Sequence, residues 1–202
     1  MKKYIKEFFL FPDVTIMLLI YFIVLFYTIP SMLQWSTWIA ILIGMATYAL
    51  SEYLIHRFLF HMETPNNPLL LKMIKRLHFD HHVDPKDVTL LFLPLWFSLP
   101  NFAIGAAIFY LITTNLQLTI AFITGLITYF LYYEWSHYMA HRPIKPWTKF
   151  GDKIKKAHLW HHYKNENYWF GVTHMTVDKT LGTYKNHQAV EKSETARNLE
   201  ER

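Results

Sequence analysis

The stretch VTIMLLIYFIVLFYTIPSMLQWSTWIAILIGMATYALS, Val14 to Ser51, contains no Asp, Glu, Lys or Arg. A helix crosses the hydrocarbon core of a bilayer with about 20 apolar residues, so this run suffices for two crossings joined by a tight turn. It reads as a helical hairpin in which VTIMLLIYFIVLFYTI rises, Pro30 to Ser36 turns, and TWIAILIGMATYALSEYLI returns. A second uncharged run, Thr89 to Tyr133, predicts another: Leu91 to Thr113 rises, TNLQ turns, and Leu118 to Tyr133 returns. Pro94 and Pro100 leave the start of that third helix open, because proline removes a donor and bends or breaks a helix. A soluble core of two buried hairpins is the competing reading, disfavoured because charge-free runs of this length are rare outside membranes.

The rest of the chain is organised around these runs. All 20 Lys and Arg lie in residues 1–13, 52–88 and 134–202, and the two hairpin tips carry none. An even number of crossings puts the three basic segments on one side, which the positive-inside rule makes cytoplasmic. Both termini and every histidine are therefore expected there. MKKYIKEFF lacks the small-residue cleavage site of a signal peptide and reads as an interfacial lead into the first helix. The 202 residues are expected to divide into a membrane-embedded domain, 1–185, and a charged tail, 186–202, mobile or a short solvated helix without chemistry. With no cysteine, disulfides, thiolate zinc sites, iron–sulfur clusters and a cysteine nucleophile are excluded, so a metal must be held by His, Asp or Glu. Nothing in the chain calls for nucleic acid.

The polar segments contain an internal repeat. His61 is followed after sixteen residues by HFDHH, with His78, His81 and His82; His141 is followed at the same distance by HLWHH, with His158, His161 and His162. The offset is eighty throughout, and KMIKR and DKIKK occupy matching places. His56 and His137 stand ahead of the two sets, each preceded by a glutamate, Glu52 or Glu134.

At about 100° per residue, i+3 and i+4 fall about 60° to one side and about 40° to the other of position i, so the imidazoles of each HxxHH share a face. Three nitrogen ligands can then converge on a metal. His137 and His141 also share a face, but His56 and His61, five apart, diverge by about 140° on an ideal helix. That pair needs the helix to end, bend or serve two metals. One ion accepts about four to six ligands, so ten histidines suit two ions. Chance placement is a poor account of two HxxHH copies at one offset. His187 and His174 stand outside the repeat and read as surface or capping residues. Glu52 and Glu134 are candidates for orienting ligand imidazoles through the other ring nitrogen, or else are helix-end charges.

SEYLIHRFLFHM, RLHFDHH, YYEWSHYMAHR, HLWHHYKNENYWFGVT and DKTLGTY, in this order, resemble the fatty acid hydroxylase superfamily, the sterol desaturase-like integral membrane di-iron oxygenases. The resemblance runs from about Tyr48 to Tyr184, and HRFLFH with the FGVT to GT segment is most similar to the fatty acid 2-hydroxylase branch. It implies an all-α integral membrane fold, four transmembrane helices in two hairpins under a cytosolic helical cap that carries a histidine-rich di-metal site. Carried over by position, the metal ligands fall on His56, His61, His78, His81, His82, His137, His141, His158, His161 and His162. It further implies two iron ions, with zinc able to occupy the isolated protein, O2 as co-substrate, and a membrane lipid, an acyl chain, as substrate. Only thirteen residues precede the first membrane helix, so electrons are expected from a separate donor protein, and the basic face suits an acidic one. His174, after FGVT, takes a place where a small or polar residue is expected; it reads either as an extra group supporting a ligand histidine or as a surface variant, and is not counted as a ligand.

Two other readings remain open at this stage. A desaturase, or a sterol- or carotenoid-type oxidase, can use the same histidines, since substrate positioning decides between returning a hydroxyl and removing a second hydrogen. A metal transporter would also collect histidines, but transport places ionisable ligands within the span, and the two uncharged runs lack even a histidine. Trp135, Tyr138, Trp160 and Trp169, beside the histidines, are expected either to line a substrate slot or to anchor at the interface.

Overall fold

The structure, a computed structural model, describes residues 1–202. Every regular element is helical. Helix α1 spans Lys2–Phe9, α2 Pro12–Thr28 and α3 Trp35–Leu54, the last running into a π-helical turn, Ile55–Phe60. Next come α4 (Pro68–Ile74), a second π turn (Lys75–Phe79), α5 (Asp80–Val83) and α6 (Val88–Leu91). Helices α7 (Leu95–Thr113), α8 (Leu116–His141), α9 (Lys149–Tyr163) and α10 (Thr176–Thr180) follow, and two 3-10 turns, His187–Ala189 and Leu199–Glu201, lie beyond them. Four segments are long and apolar enough to cross a membrane: Pro12–Ser31, Trp35–Phe60, Val88–Thr113 and Leu116–His141. Their outward side chains suit lipid: Leu19, Phe22 and Phe26 are each at least 60% exposed, as are Leu111 and Ile112. An apolar surface of this kind would associate or aggregate in water.

The chain forms two compact units, one of residues 1–49 and 93–134, the other of 50–92 and 135–202. In the first unit α3 and α8 meet backbone to backbone. A Cβ on Gly44 would lie 2.1 Å from the Phe122 carbonyl oxygen, and one on Gly125 would lie 2.0 Å from that of Ile41. Only glycine permits this approach, the device by which apolar helices gain packing contact where no hydrophobic effect drives them together. Polar pairs add to it: the Thr28 and Thr124 hydroxyls bond at 2.8 Å, and Gln117 Nε2 donates to the Tyr27 carbonyl and to Ser31 Oγ. Tyr48 packs edge-on to Phe102 and Phe130.

The doubtful start of the third membrane helix is resolved here. Proline at position 94 forms the N-cap of α7 and has no side-chain acceptor to offer, so the backbone N–H of Leu95 donates to Asp13 Oδ1 instead, at 2.9 Å. Pro100 lies inside α7 without ending it. The returning helix is longer than the uncharged run suggests, since α8 continues past Tyr133 to His141 and delivers both histidines of its pair.

Candidate metal centre

The ten motif histidines all belong to the second unit, and all ten are buried. They fall into two groups of five, His56, His61, His78, His82 and His161 in one, His81, His137, His141, His158 and His162 in the other. Within each group the candidate ligand atoms lie within 4.8 Å of one another. The repeat is therefore crossed: the middle histidine of each HxxHH joins the other half's set. Consecutive residues on a helix point about 100° apart, so His81 and His82 face different groups, as do His161 and His162. The two groups meet where the His82 and His162 rings stack with centroids 4.0 Å apart.

The five-residue spacing of His56 and His61 is explained by the π turn. An i→i+5 hydrogen bond, His61 N–H to the His56 carbonyl at 3.1 Å, replaces the α-helical bond. Widening the turn brings positions five apart toward one face, and such turns are frequent at functional sites. The two rings end with centroids 5.0 Å apart. A second π turn carries His78 into the same group, with its Nε2 3.0 Å from that of His82.

Backbone carbonyls set the tautomers. Nδ1 of His56 faces the Phe170 carbonyl, of His82 that of Ala196, of His137 that of Leu91 and of His161 that of Tyr168, at 2.5 to 2.9 Å. A carbonyl only accepts, so each of these Nδ1 atoms carries the proton and each Nε2 presents a lone pair. Those lone pairs converge. His56 Nε2 is 3.1 Å from His78 Nε2, His61 Nε2 is 2.9 Å from both His78 and His161 Nε2, and His137 Nε2 is 3.0 Å from His81 Nε2. Neither ring nitrogen of the fully buried His162 has a hydrogen-bond partner. Buried nitrogens without partners are costly, and a cation held among them removes the cost at the nitrogen that faces it. The donor set fits a first-row transition metal in each group.

Burial also fixes the charge state. It drives His61, His78, His81, His158, His161 and His162 well below the ordinary imidazole range, with neighbouring imidazoles pushing the same way, and brings His82 to about 3. Neutral imidazole is the form that ligates. For each of these groups the unfolded chain binds a proton from about pH 6.5 downward while the folded chain does not. Stability is thus full above about pH 6.5 and falls below it, by up to about 1.4 kcal/mol per pH unit for each histidine. A metal-stripped sample should lose thermal stability steeply from pH 6.5 to 5, and a metal-loaded one less, because ligation competes with the proton. Differential scanning fluorimetry across that interval checks this; a flat profile contradicts the buried neutral cluster.

The segment after α9 holds the histidine supports. Asp178 accepts from the backbone N–H groups of Phe170 and Gly171, both at 2.8 Å, and from the Thr183 hydroxyl at 2.7 Å. Thr183 in turn bonds the Tyr53 hydroxyl at 2.8 Å. A Cβ on Gly171 would sit 2.0 Å from the His174 carbonyl oxygen, so the FGVT glycine is needed for close approach. Glu52 Oε1 accepts from the Thr173 N–H and hydroxyl at 3.1 and 2.7 Å. It pins the loop whose Phe170 carbonyl meets His56. In the first unit Glu134 Oε1 accepts from the Leu93 N–H at 3.1 Å.

His174 Nδ1 accepts from the Thr176 N–H at 3.3 Å, a local turn bond, and His187 stacks on Trp160 at 4.3 Å. Trp169 and Tyr138 are wholly buried. Trp169, with φ +58°, donates through Nε1 to the Lys185 carbonyl, and Tyr138 stacks on Phe92. Neither side chain reaches the surface, so neither is an interfacial anchor.

The residues expected to form a solvated tail return to the histidines instead: Leu199 is buried with Ile74 and Phe79, and the carbonyl of Ala196 supports His82. The sequence signal missed was small, an alanine and a leucine among charged residues, and the backbone groups that orient imidazoles leave no signal at all.

Four bilayer-length helices and two buried polyhistidine groups define a membrane protein whose histidine clusters are suited to binding metal. The fatty acid hydroxylase family model matches residues 41–183, and the chain belongs to that family. It is 33% identical over 148 residues to the ceramide very long chain fatty acid hydroxylase scs7 of Schizosaccharomyces pombe, covering 70% of this chain and 41% of that one. With the ceramide very long chain fatty acid hydroxylase SCS7 of Saccharomyces cerevisiae the identity is 37% over 149 residues, covering 70% and 37%. The chain thus spans about two fifths of the length of these two curated relatives. The solved structure of full-length scs7p, in which only the hydroxylase domain is visible, aligns with a TM-score of 0.75 at 27% identity, covering 85% of this chain and 66% of that one.

Proposed function

We propose that the protein is a membrane-bound hydroxylase that places one oxygen atom from O2 on a fatty acyl chain of a lipid, with two iron ions held by the ten histidines. The observation that carries this reading is the pair of five-histidine groups, buried, neutral and with converging lone pairs. Nitrogen-only ligation leaves the metal open, and the relatives' activity on fatty acyl groups favours iron over zinc. Iron, when bound, supplies the oxidation of an unactivated C–H bond.

The chain's own contribution is positioning. Carbonyls of Phe170, Tyr168, Leu91 and Ala196 lock four imidazoles, Asp178 and Glu52 lock the loop that provides the first two, and burial excludes water from the centre. The two hairpins, with the basic segments and the histidine groups on the cytoplasmic side, follow from the distribution of Lys and Arg. A separate electron donor with an acidic face would complement that basic side. The relatives named as ceramide fatty acid hydroxylases favour an N-linked or free acyl chain as substrate.

The test is expression of the wild type and His161→Ala in a host with a compatible reductant, followed by mass spectrometry of extracted lipids. A gain of one oxygen on acyl lipids, in the wild type alone, is expected. Loss of two hydrogens would establish a desaturase on this scaffold. Identical lipids, with iron and reductant verified, would overturn the oxidative reading.

A further inference from the structure

The two halves of the histidine repeat are supported differently. In the second half the end of α8 is held from within. Lys155 Nζ donates to the carbonyls of Met139, Arg142 and Ile144 at 2.9, 2.7 and 2.9 Å. Lys155 lies on α9 itself, three residues before His158, so one side chain ties the helix carrying His137 and His141 to the helix carrying the other three ligands of the repeat. A cation at a helix C-terminus meets carbonyls that have no partner within the helix.

Eighty positions earlier stands Lys75, and it does not repeat this. Its ammonium pairs with Glu200 and lies 3.8 Å from Asp80. The carbonyl of His61, the residue whose N–H closes the first π turn, is met by Arg202 Nη1 at 2.7 Å. The last residues of the chain thus take, in the first half, the place that Lys155 holds in the second. They do more. The Ala196 carbonyl accepts from His82 Nδ1 at 2.7 Å, Arg197 Nε donates to the His82 carbonyl at 2.7 Å, and Leu199, 1% exposed, fills the apolar cluster of Ile74 and Phe79 against the second π turn. The segment is fastened at its start by buried Glu166, whose Oε1 accepts from the hydroxyls of Ser193 and Thr195 at 3.1 and 2.7 Å. Arg197 also lies over the Tyr163 ring at 5.0 Å, a contact beside the second group and not on a histidine of it.

We propose that residues 193–202 are a strap that holds the first histidine group, and that group alone, in metal-binding geometry. The inference rests on the two-metal reading above. Without the strap His82 loses the acceptor that fixes its tautomer and His61 loses the cation on its carbonyl. Single outer-shell partners of this kind typically change metal affinity 10- to 100-fold, and here several go together, so the first group should release its ion during desalting while the second keeps its own.

The experiment uses the full chain in detergent, loaded with ferrous iron and desalted, with iron per chain read by inductively coupled plasma mass spectrometry and monodispersity by size-exclusion chromatography. One variant ends at Ser193; a second keeps the full length and carries Arg197→Gln with Arg202→Met, both exposed side chains whose loss leaves the apolar packing in place. About two irons per chain are expected in the parent and about one in each variant. Combined with His158→Ala, the truncation should leave almost none; combined with His56→Ala, it should remove nothing further. Two irons retained in both variants overturn the strap, and loss of both ions from a monodisperse variant overturns its selectivity. A parent that binds no iron overturns the two-metal reading, and with it the strap, a failure seen before any variant is made.

Discussion

His161→Ala should abolish hydroxylation, and should do so by emptying the group built on His56, His61, His78 and His82, not the group formed by its helical neighbours His158 and His162. The reason is the crossed arrangement, in which His161 Nε2 lies 2.9 Å from His61 Nε2, a residue one hundred positions away. Losing a direct ligand costs more than losing an outer partner, so activity should fall by at least about 100-fold. His81→Ala should do the same to the other group, since its ring lies 4.6 to 4.7 Å from those of His137, His141 and His162. Iron counts on paired variants check the crossing. His161→Ala with His82→Ala should lose no more than the single variant, because both strike one group, whereas His161→Ala with His158→Ala should lose both ions. The reverse pattern would show that each HxxHH serves a single metal and would sink the crossed assignment.

The sequence carries much of this centre because metal ligation demands particular residue types at particular spacings. Eight histidines paired at an offset of eighty, with His56 and His137 ahead of the two sets, predict two ions, and the structure gathers those ten side chains into two fives. What spacing alone does not show is the exchange of His81 and His161, since ideal helical geometry places all three imidazoles of HxxHH on a common face without saying what packs on either flank. The His56 and His61 pair is the instructive case. Ideal α-helical angles set them apart, and the structure unites them by widening the helix into a π turn, a change of backbone hydrogen bonding that the residues IHRFLF do not announce. Four bilayer-length helices are legible from charge alone, because taking a charge into hydrocarbon is costly for any sequence. The tail is illegible for the opposite reason: composition reports average solvation, while Ala196 acts through its backbone carbonyl and Leu199 through one apolar contact.

The DKTLGTY aspartate illustrates how a motif outside the ligand set can control it, and Asp178→Ala is the second change expected to have a large effect. The Asp178 carboxylate is 1% exposed and accepts from two backbone N–H groups and one hydroxyl. Burial raises its pKa above the ordinary carboxylate value, with the hydrogen bonds from Thr183, Gly171 and Phe170 opposing that rise. Alanine leaves the buried backbone N–H groups of Phe170 and Gly171 without this acceptor, while the Thr183 hydroxyl keeps the Tyr53 hydroxyl as a partner, so at about 1–3 kcal/mol for each orphaned donor the loss is roughly 2–6 kcal/mol in all. That is comparable with the whole stability of many domains. The damage should also be specific, because the freed loop carries the carbonyl that sets the His56 tautomer, and Trp169 beside it holds a left-handed φ of +58° that a loosened loop has no reason to keep. Asp178→Asn keeps one acceptor oxygen but turns an amide donor toward donors, so it should fall between alanine and wild type. Asp152→Ala is the control: that exposed carboxylate pairs with Lys156 four residues on, and its loss should cost about 0.5 kcal/mol or less. Thermal unfolding and iron content measured together separate the possibilities. A lower melting point with less iron in Asp178→Ala, and neither change in Asp152→Ala, is the expected result; an Asp178→Ala protein that melts and binds iron like wild type would show that the loop is held by its other contacts, with Glu52 and Trp169 sufficient to fix His56.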